Sequence, residues 1–326
     1  MRTLSLGKNG PPVSRVGLGC MGMSGMYGPA DRAEGVATIH AAMEAGVVML
    51  DTGDFYGMGH NEMLIGEALR DGRRDKAFIA VKFGAQRDPG GAWLGYDARP
   101  AAVKTALAYT LQRLGVDHVD LYQPARVDPN VPIEETVGAI ADCVKAGWVR
   151  HIGLSEVSAA TLRKAHAEHP IRAVQIEYSL ASRGIEQSLL PTTRELGVSI
   201  TAYGVLSRGL LSNPTKTGGA GDFRAHLPRF SGENLAANLP LVEAFAALAT
   251  EKGLTPAQLA FAWVLAQGED VIPLIGARRR GQLAESLAAL DVVLDAGDLA
   301  RIEAVLPAGA IRGDRYPAAQ MARLEA

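Results

Sequence analysis

Short apolar runs, many of them β-branched, recur at 15–20, 47–52, 78–83, 118–123, 149–155, 173–178, 199–205 and 270–276, each bounded by turn or helix-start residues. Runs of that length and type predict strands buried on both faces. Between them lie stretches with helical spacing of apolar positions: 32–45, 61–69, 99–114, 133–146, 159–168 and 185–196, two more within 239–267, and a last pair at 279–290 and 298–306. Strands that alternate with helices in this way predict an α/β chain, folded over 1–326 as a single (β/α)8 TIM barrel domain rather than as an open sheet with a helical annex.

Two stretches depart from the repeat. Thr3-Leu4-Ser5-Leu6 and Pro12-Val13-Ser14 flank Gly7-Lys8-Asn9-Gly10, which reads as an N-terminal β-hairpin with an Asn-Gly turn, suited to plugging the barrel bottom. A long loop separates strands 7 and 8, and its excess, 213–238, is Gly-rich with Pro214 and Pro228. In compact domains such loops are lids or disordered segments. No interdomain linker and no repeat beyond the strand–helix alternation is visible.

Lys and Arg total 33 against 35 Asp and Glu, a net charge of −2, so no global field favours nucleic acid or an anionic membrane surface. That leaves a small molecule as the expected partner. Cys20 and Cys143 are the only thiols and lie far apart, which argues against a disulfide framework or a thiolate metal site. The N-terminal residues lack an apolar signal core, and no segment approaches the roughly 18 apolar residues of a membrane span. A soluble, cytoplasmic protein is expected, with no sequence signal for its oligomeric state.

The chemistry concentrates where strands end. Asp51-Thr52-Gly53-Asp54-Phe55-Tyr56-Gly57 follows the second apolar run and Lys82 closes the third, while Ser155, Gln175 and Tyr203 stand at or near the ends of later runs. In a barrel these all fall on the catalytic face. A charged residue ending an apolar strand is costly unless paired, so Asp51 and Lys82 read as partners. A nearby ammonium lowers a phenol's pKa from about 10, which would tune Tyr56 as a general acid.

Asp-Thr-Gly-Asp-x-Tyr-Gly, Lys82, Gly153-Leu154-Ser155, Gln175 and Ala202-Tyr203-Gly204-Val205-Leu206, in this order, resemble the aldo-keto reductases, and the resemblance covers essentially the whole chain. It implies an NADPH-dependent reductase in which Tyr56 protonates a carbonyl oxygen as hydride arrives, with Asp51 and Lys82 tuning it. It also implies that Ser155 and Gln175 bind the nicotinamide carboxamide. Glu156 follows Ser155 where relatives commonly carry Asn. The family normally completes its catalytic set with a His after the fourth strand, where this chain reads Gln123-Pro124-Ala125-Arg126 and places Ala125. Losing one oxyanion donor can cost about 10²–10³ in turnover. A water or a neighbouring side chain can replace it, the substrate can be pre-activated, or the chain is a weak catalyst. Arg126 is the nearest replacement; pairing with Asp128 is its alternative role.

Gly17-Leu18-Gly19-Cys20-Met21-Gly22 matches a dinucleotide fingerprint, but the next helical pattern begins only near Asp31, too late to receive a pyrophosphate. The resemblance instead places Met21 near the nicotinamide. Tyr203-Gly204-Val205-Leu206-Ser207-Arg208-Gly209 offers an aromatic face, backbone amides and an Arg for the rest of the cofactor. Three Arg beginning with Arg278, after Gly276, open a helix, against the macrodipole's preference for negative charge. A 2′-phosphate would resolve that conflict, with Gln282, Glu285 and Ser286 following on the helix; the last two resemble the pair that meets the adenine. Tyr27, Phe55, Trp93 and Arg126 are candidates to line the substrate mouth. His60, His166, His169 and His226 lack converging co-ligands, so no metal is expected. Two other classes keep this barrel: a Schiff-base lyase using Lys82, and a nucleotide-sensing or partner-binding barrel like the potassium-channel β-subunits.

Overall fold

The computed structural model describes residues 1–212 and 223–324. Its strands are β1 (Thr3–Ser5), β2 (Pro12–Ser14), β3 (Gly17–Gly19), β4 (Met49–Gly53), β5 (Phe78–Phe83), β6 (Ala85–Arg87), β7 (Trp93–Tyr96), β8 (Val119–Pro124), β9 (Val149–Ser155), β10 (Ile171–Glu177), β11 (Ser199–Tyr203) and β12 (Val271–Gly276). β3, β4, β5, β8, β9, β10, β11 and β12 pair in parallel in that circular order, and β12 pairs back with β3, closing a (β/α)8 barrel. Helices fill the connections, and their starts are written locally. Asp31, Ser158, Thr255 and Asp295 cap the helices Arg32–Glu44, Ala159–Glu168, Pro256–Ala266 and Ala296–Val305 with side-chain oxygens that accept backbone N–H groups.

Alternation along the strands divides the bore into two levels. Met49, Phe78, Ala80, Leu121, Ala173, Ile272 and Leu274 form an apolar floor, closed from below by Leu6 and Val13 of the N-terminal hairpin, both fully buried. Above it, the next inward positions are polar: Asp51, Lys82, Gln123, Ser155, Gln175 and Thr201, all buried. The register places Lys82 beside Gln123, and Gln175 between Ser155 and Thr201.

Several expectations are revised. The β1–β2 turn is closed by Gly10 N–H donating to Gly7 C=O, so Lys8 and Asn9, not Asn9-Gly10, take its central positions, with Asn9 at φ 56°. Part of the expected loop is helical: Phe223–His226 and Pro228–Phe230 are 3-10 turns, and the following helix runs Gly232–Glu251 with Pro240 inside it. The remainder, 213–222, lies outside the described residues. The predicted helices 185–196 and 279–290 each break into a 3-10 turn and an α-helix, Gly184–Gln187 with Leu189–Leu196 and Arg280–Leu287 with Ala288–Asp291. Two features were not anticipated: the antiparallel β6–β7 hairpin above β5, and a C-terminal tail ending in Ala318–Met321 that reaches the barrel mouth. Among the described residues no helix is long and apolar enough to cross a membrane.

Candidate active site

A cavity of about 870 Å³ opens at the C-terminal ends of the strands. Asp51 and Lys82 form its floor. The Lys82 ammonium donates to both Asp51 oxygens, at 2.7 and 2.8 Å, and Gln175 Nε2 donates to Asp51 Oδ2 at 2.6 Å from across the barrel. The turn after β4 is fixed from both sides: Asp54 N–H donates to Lys82 C=O, Tyr56 N–H to Gly53 C=O, and Thr52 Oγ1 to Asn61 Oδ1. Asn61 in turn donates to Cys20 C=O and Ser24 Oγ. The turn delivers Tyr56 to the cavity wall, its ring edge-on to Phe55 at 4.7 Å and 5.1 Å from the Lys82 ammonium.

The expected tuning of Tyr56 by Lys82 is not what this geometry does. Burial, then the Asp51 charge, push the Tyr56 phenol well above its ordinary value. Lys82 faces the ring rather than the hydroxyl and spends its charge on Asp51, and burial lowers its own pKa. The cation that pulls the phenol down is Arg126. Arg126 does not pair with Asp128: it lines the cavity beside Ala125 and donates to the Ala125 carbonyl at 2.6 Å. Asp128 instead accepts from Ala98 N–H and from Asn130.

Met21, Tyr27, Phe55, Trp93, Ser155, Gln175, Tyr203, Gly204, Val205, Leu206, Arg208, Gly209, Gly276, Arg278, Gln282 and Glu285 also line the cavity, whereas Ser207 and Ser286 are buried and do not. Ser155 Oγ is buried on the wall with no partner among the described residues. After β11 the backbone turns through positive φ at Gly204, Ser207, Arg208 and Gly209. Arg208 lies 3.1 Å from Glu177 and stacks over Tyr316. After β12, Arg280 pairs with Glu34, so the charge conflict at this helix start is partly relieved from within the chain. Arg278 donates to the carbonyls of Tyr27 and Pro29 and faces the cavity.

Sequence reading missed the C-terminal wall. Glu156, at φ 55°, accepts both Arg315 guanidinium nitrogens, at 2.9 and 2.8 Å, and the Tyr203 hydroxyl at 2.6 Å; Tyr203 also meets the Tyr316 hydroxyl at 3.0 Å. The aromatic in Gly313-Asp314-Arg315-Tyr316, beyond the last long helix, was the available signal. It also missed Arg87, whose guanidinium stacks 4.4 Å over Trp93. Asp88-Pro89-Gly90-Gly91 between two short extended segments was the turn signal for that hairpin. Among the described residues no cluster of His, Cys, Asp or Glu could hold a metal ion.

The chain is similar to known proteins over nearly its whole length. The Aldo/keto reductase family profile matches residues 15–307. The chain is 43% identical over 325 residues, 97% of its length and 92% of the relative's, to "Probable aldo-keto reductase 1" of Glycine max. Its fold is similar to that of a glycerol dehydrogenase from Gluconobacter oxydans (TM-score 0.84, 30% identity, 93% of this chain and 94% of that one). It is also similar to a thermostable aldo-keto reductase in complex with the inhibitor epalrestat (0.75, 28%, 94% and 100%). A third likeness is to the holo form of an aldo-keto reductase from Bacillus halodurans (0.77, 27%, 94% and 96%).

Behind Tyr56 lies Asp54, whose Oδ1 has no partner among the described residues and whose carboxyl is pushed up to about 7 by burial and by the nearby Glu62. Between the ordinary carboxylate range near 4 and about 7, folded Asp54 holds a proton that the unfolded chain has released, so its contribution to stability falls as pH rises across that window. Asp54→Asn should therefore raise Tm relative to the native chain at pH 8 and not at pH 4, measured by thermal melts across the range. A Tm difference that stays constant with pH would remove Asp54 from this role.

Proposed function

The chain belongs to the aldo/keto reductase family, whose members are oxidoreductases, and from that premise we propose that it reduces a carbonyl substrate, an aldehyde, ketone or quinone-like compound, to the alcohol with NADPH. The observation that carries this reading is the convergence of Tyr56 and the Lys82–Asp51 pair on one cavity with the unpartnered Ser155 Oγ. A buried hydroxyl without a partner on an open wall suits a ligand group that can hydrogen-bond it. Ser155 and Gln175 would take the carboxamide, Tyr203 the ring face, the turn from Gly204 to Gly209 the pyrophosphate, and Arg278 the 2′-phosphate. Bound there, the cofactor would supply hydride.

The chain's own residues handle the proton. Burial keeps Tyr56 protonated at neutral pH, and its hydroxyl makes no hydrogen bond to a described residue, so the proton is available to an oxyanion forming in the cavity. Lys82 is held by two hydrogen bonds to Asp51 and sits against the Tyr56 ring. The same double hydrogen bond, with Lys82 3% exposed, supports charge storage over nucleophilic attack, against a Schiff-base role. Ala125 presents only a methyl group to the cavity where the family's usual His would donate, which leaves Tyr56 as the donor for the carbonyl oxygen. The two thiols, both buried and unpaired, suit a reducing cytoplasm.

Tyr56→Phe should lower NADPH-dependent turnover on a carbonyl panel by about 10²–10⁴ with little change in cofactor affinity; retained turnover would remove Tyr56 from the acid role. Arg278→Ala should weaken NADPH binding roughly tenfold more than NADH binding, read by tryptophan fluorescence. Equal weakening of both would sink the 2′-phosphate assignment. Ala125→His should raise kcat by roughly tenfold or more by restoring a donor. An unchanged kcat would mean that another group already fills the role.

A further inference from the structure

Four of the arginines lining the cavity, which also include Arg224 and Arg323, form two pairs on opposite sides of the mouth. Arg208 and Arg278 follow β11 and β12; Arg87 and Arg126 follow β5 and β8. In the circular strand order β5 stands opposite β11, and β8 opposite β12. The second pair is therefore on the wall away from the loops proposed to take the cofactor's phosphates.

Arg87 and Arg126 share an uncommon condition. Each is half-buried on the cavity, and neither has a carboxylate partner among the described residues. Among the described residues Arg126 donates only to its neighbour's carbonyl, and Arg87 Nε is buried without a partner. Arg278 across the mouth is likewise without a carboxylate partner among the described residues, whereas Arg113 is matched with Glu62, Arg183 with Glu186, and Arg315 with Glu156. Glu156 acts on Arg126 only from beyond contact and is itself bound to Arg315; a guanidinium removed from water without a direct ion-pair partner is costly, and an anion supplied from outside offsets that cost. From Arg87 to Tyr56 runs an aromatic wall: Arg87 stacks on Trp93, Trp93 meets Phe55 edge-on at 5.9 Å, and Phe55 meets Tyr56. Stacking on Trp93 holds the guanidinium plane and leaves its edge for a planar, two-oxygen acceptor.

We propose that Arg87 and Arg126 form an anion subsite, and that the substrate of this enzyme is a carbonyl compound carrying a carboxylate, its apolar or aryl body lying along Phe55 and Trp93. This deepens the reductase reading and rests on it.

The test uses matched probes on the native chain with NADPH: 4-carboxybenzaldehyde, its methyl ester, and 4-formylphenyl phosphate. The acid should exceed the ester about tenfold in kcat/KM, mainly through KM, and should also exceed the phosphate. In Arg87→Gln and in Arg126→Gln the preference for acid over ester should collapse by about the same factor, and Arg126→Lys should restore part of it. An ester reduced as well as the acid, or a preference that survives in either variant, would overturn the subsite; a phosphate preferred to the acid would overturn the carboxylate. Binding of 4-carboxybenzyl alcohol against its methyl ester, followed by tryptophan fluorescence on cofactor-loaded protein, decides the matter without turnover. Should no aldehyde be reduced while the acid alcohol still binds in preference to its ester, the reductase reading fails and the anion subsite stands. Equal binding of the two alcohols overturns the subsite whatever the turnover.

Discussion

The upper half of the barrel is organised around one ion pair, Lys82 with Asp51, at 3% and 4% exposure. Two charges withdrawn that far from water must be compensated almost entirely by each other and by hydrogen bonds. The register supplies the geometry. Lys82 pairs with Gly53 along the β4–β5 ladder, so its side chain must lean back past one inward position to reach Asp51, which pairs with Ala80. Gln175 donates to Asp51 from β10, which stands opposite β4 in the barrel. The pair therefore braces the bore across its diameter as well as between neighbouring strands. Anything that shifts β4 against β5 would unpair a buried ammonium, so the position of Tyr56, five residues past Asp51, is held by the same constraint.

That pair needs a dry floor beneath it. Leu6 and Val13 provide it: the hairpin closes the bottom of the bore, and the floor they complete with Phe78, Leu121 and Ile272 excludes water from below. Polar atoms above the floor then have only each other or a bound ligand for partners. Ser155 Oγ, Thr201 Oγ1 and both side-chain polar atoms of Gln123 are buried there without partners among the described residues. Gly153 belongs to the same economy of space, since a Cβ there would come within 2.8 Å of Gln123 Oε1.

What was legible in the sequence was what repeats or carries a charge at a strand end. The eight barrel strands are apolar on both faces, so each announced itself as a run, and Asp51 and Lys82 stood out because a charge closing such a run demands a partner. The β6–β7 hairpin was not legible. Ala85-Gln86-Arg87 and Trp93-Leu94-Gly95-Tyr96 are short and exposed or half-buried throughout, so neither carries a buried run to betray it. The direction of the Tyr56 shift was missed for a different reason: standing at neighbouring strand ends says nothing about whether the ammonium meets the ring or the hydroxyl, and burial outweighs both. Arg280 looked like part of an anion cradle because its partner Glu34 lies on the first outer helix, far away in the chain.

Glu156 shows how a departure from the family's usual residue can be read physically. At φ 55° it adopts a conformation that is uncommon for a residue with a side chain and that Asn tolerates better. The strain is offset by what a carboxylate does there and an amide would not: it accepts a two-point bond from Arg315, whose buried charge needs an anion, and the hydroxyl of Tyr203 as well. Arg315 sits in the tail, and the next residue, Tyr316, meets Tyr203 and lies under Arg208. One carboxylate at the end of β9 thus fastens the C-terminal tail across the mouth and fixes the plane of the aromatic ring at the end of β11. The tail is a wall of the cavity because of that charge, and an Asn at this position would replace the two-point ionic contact with Arg315 by a neutral one.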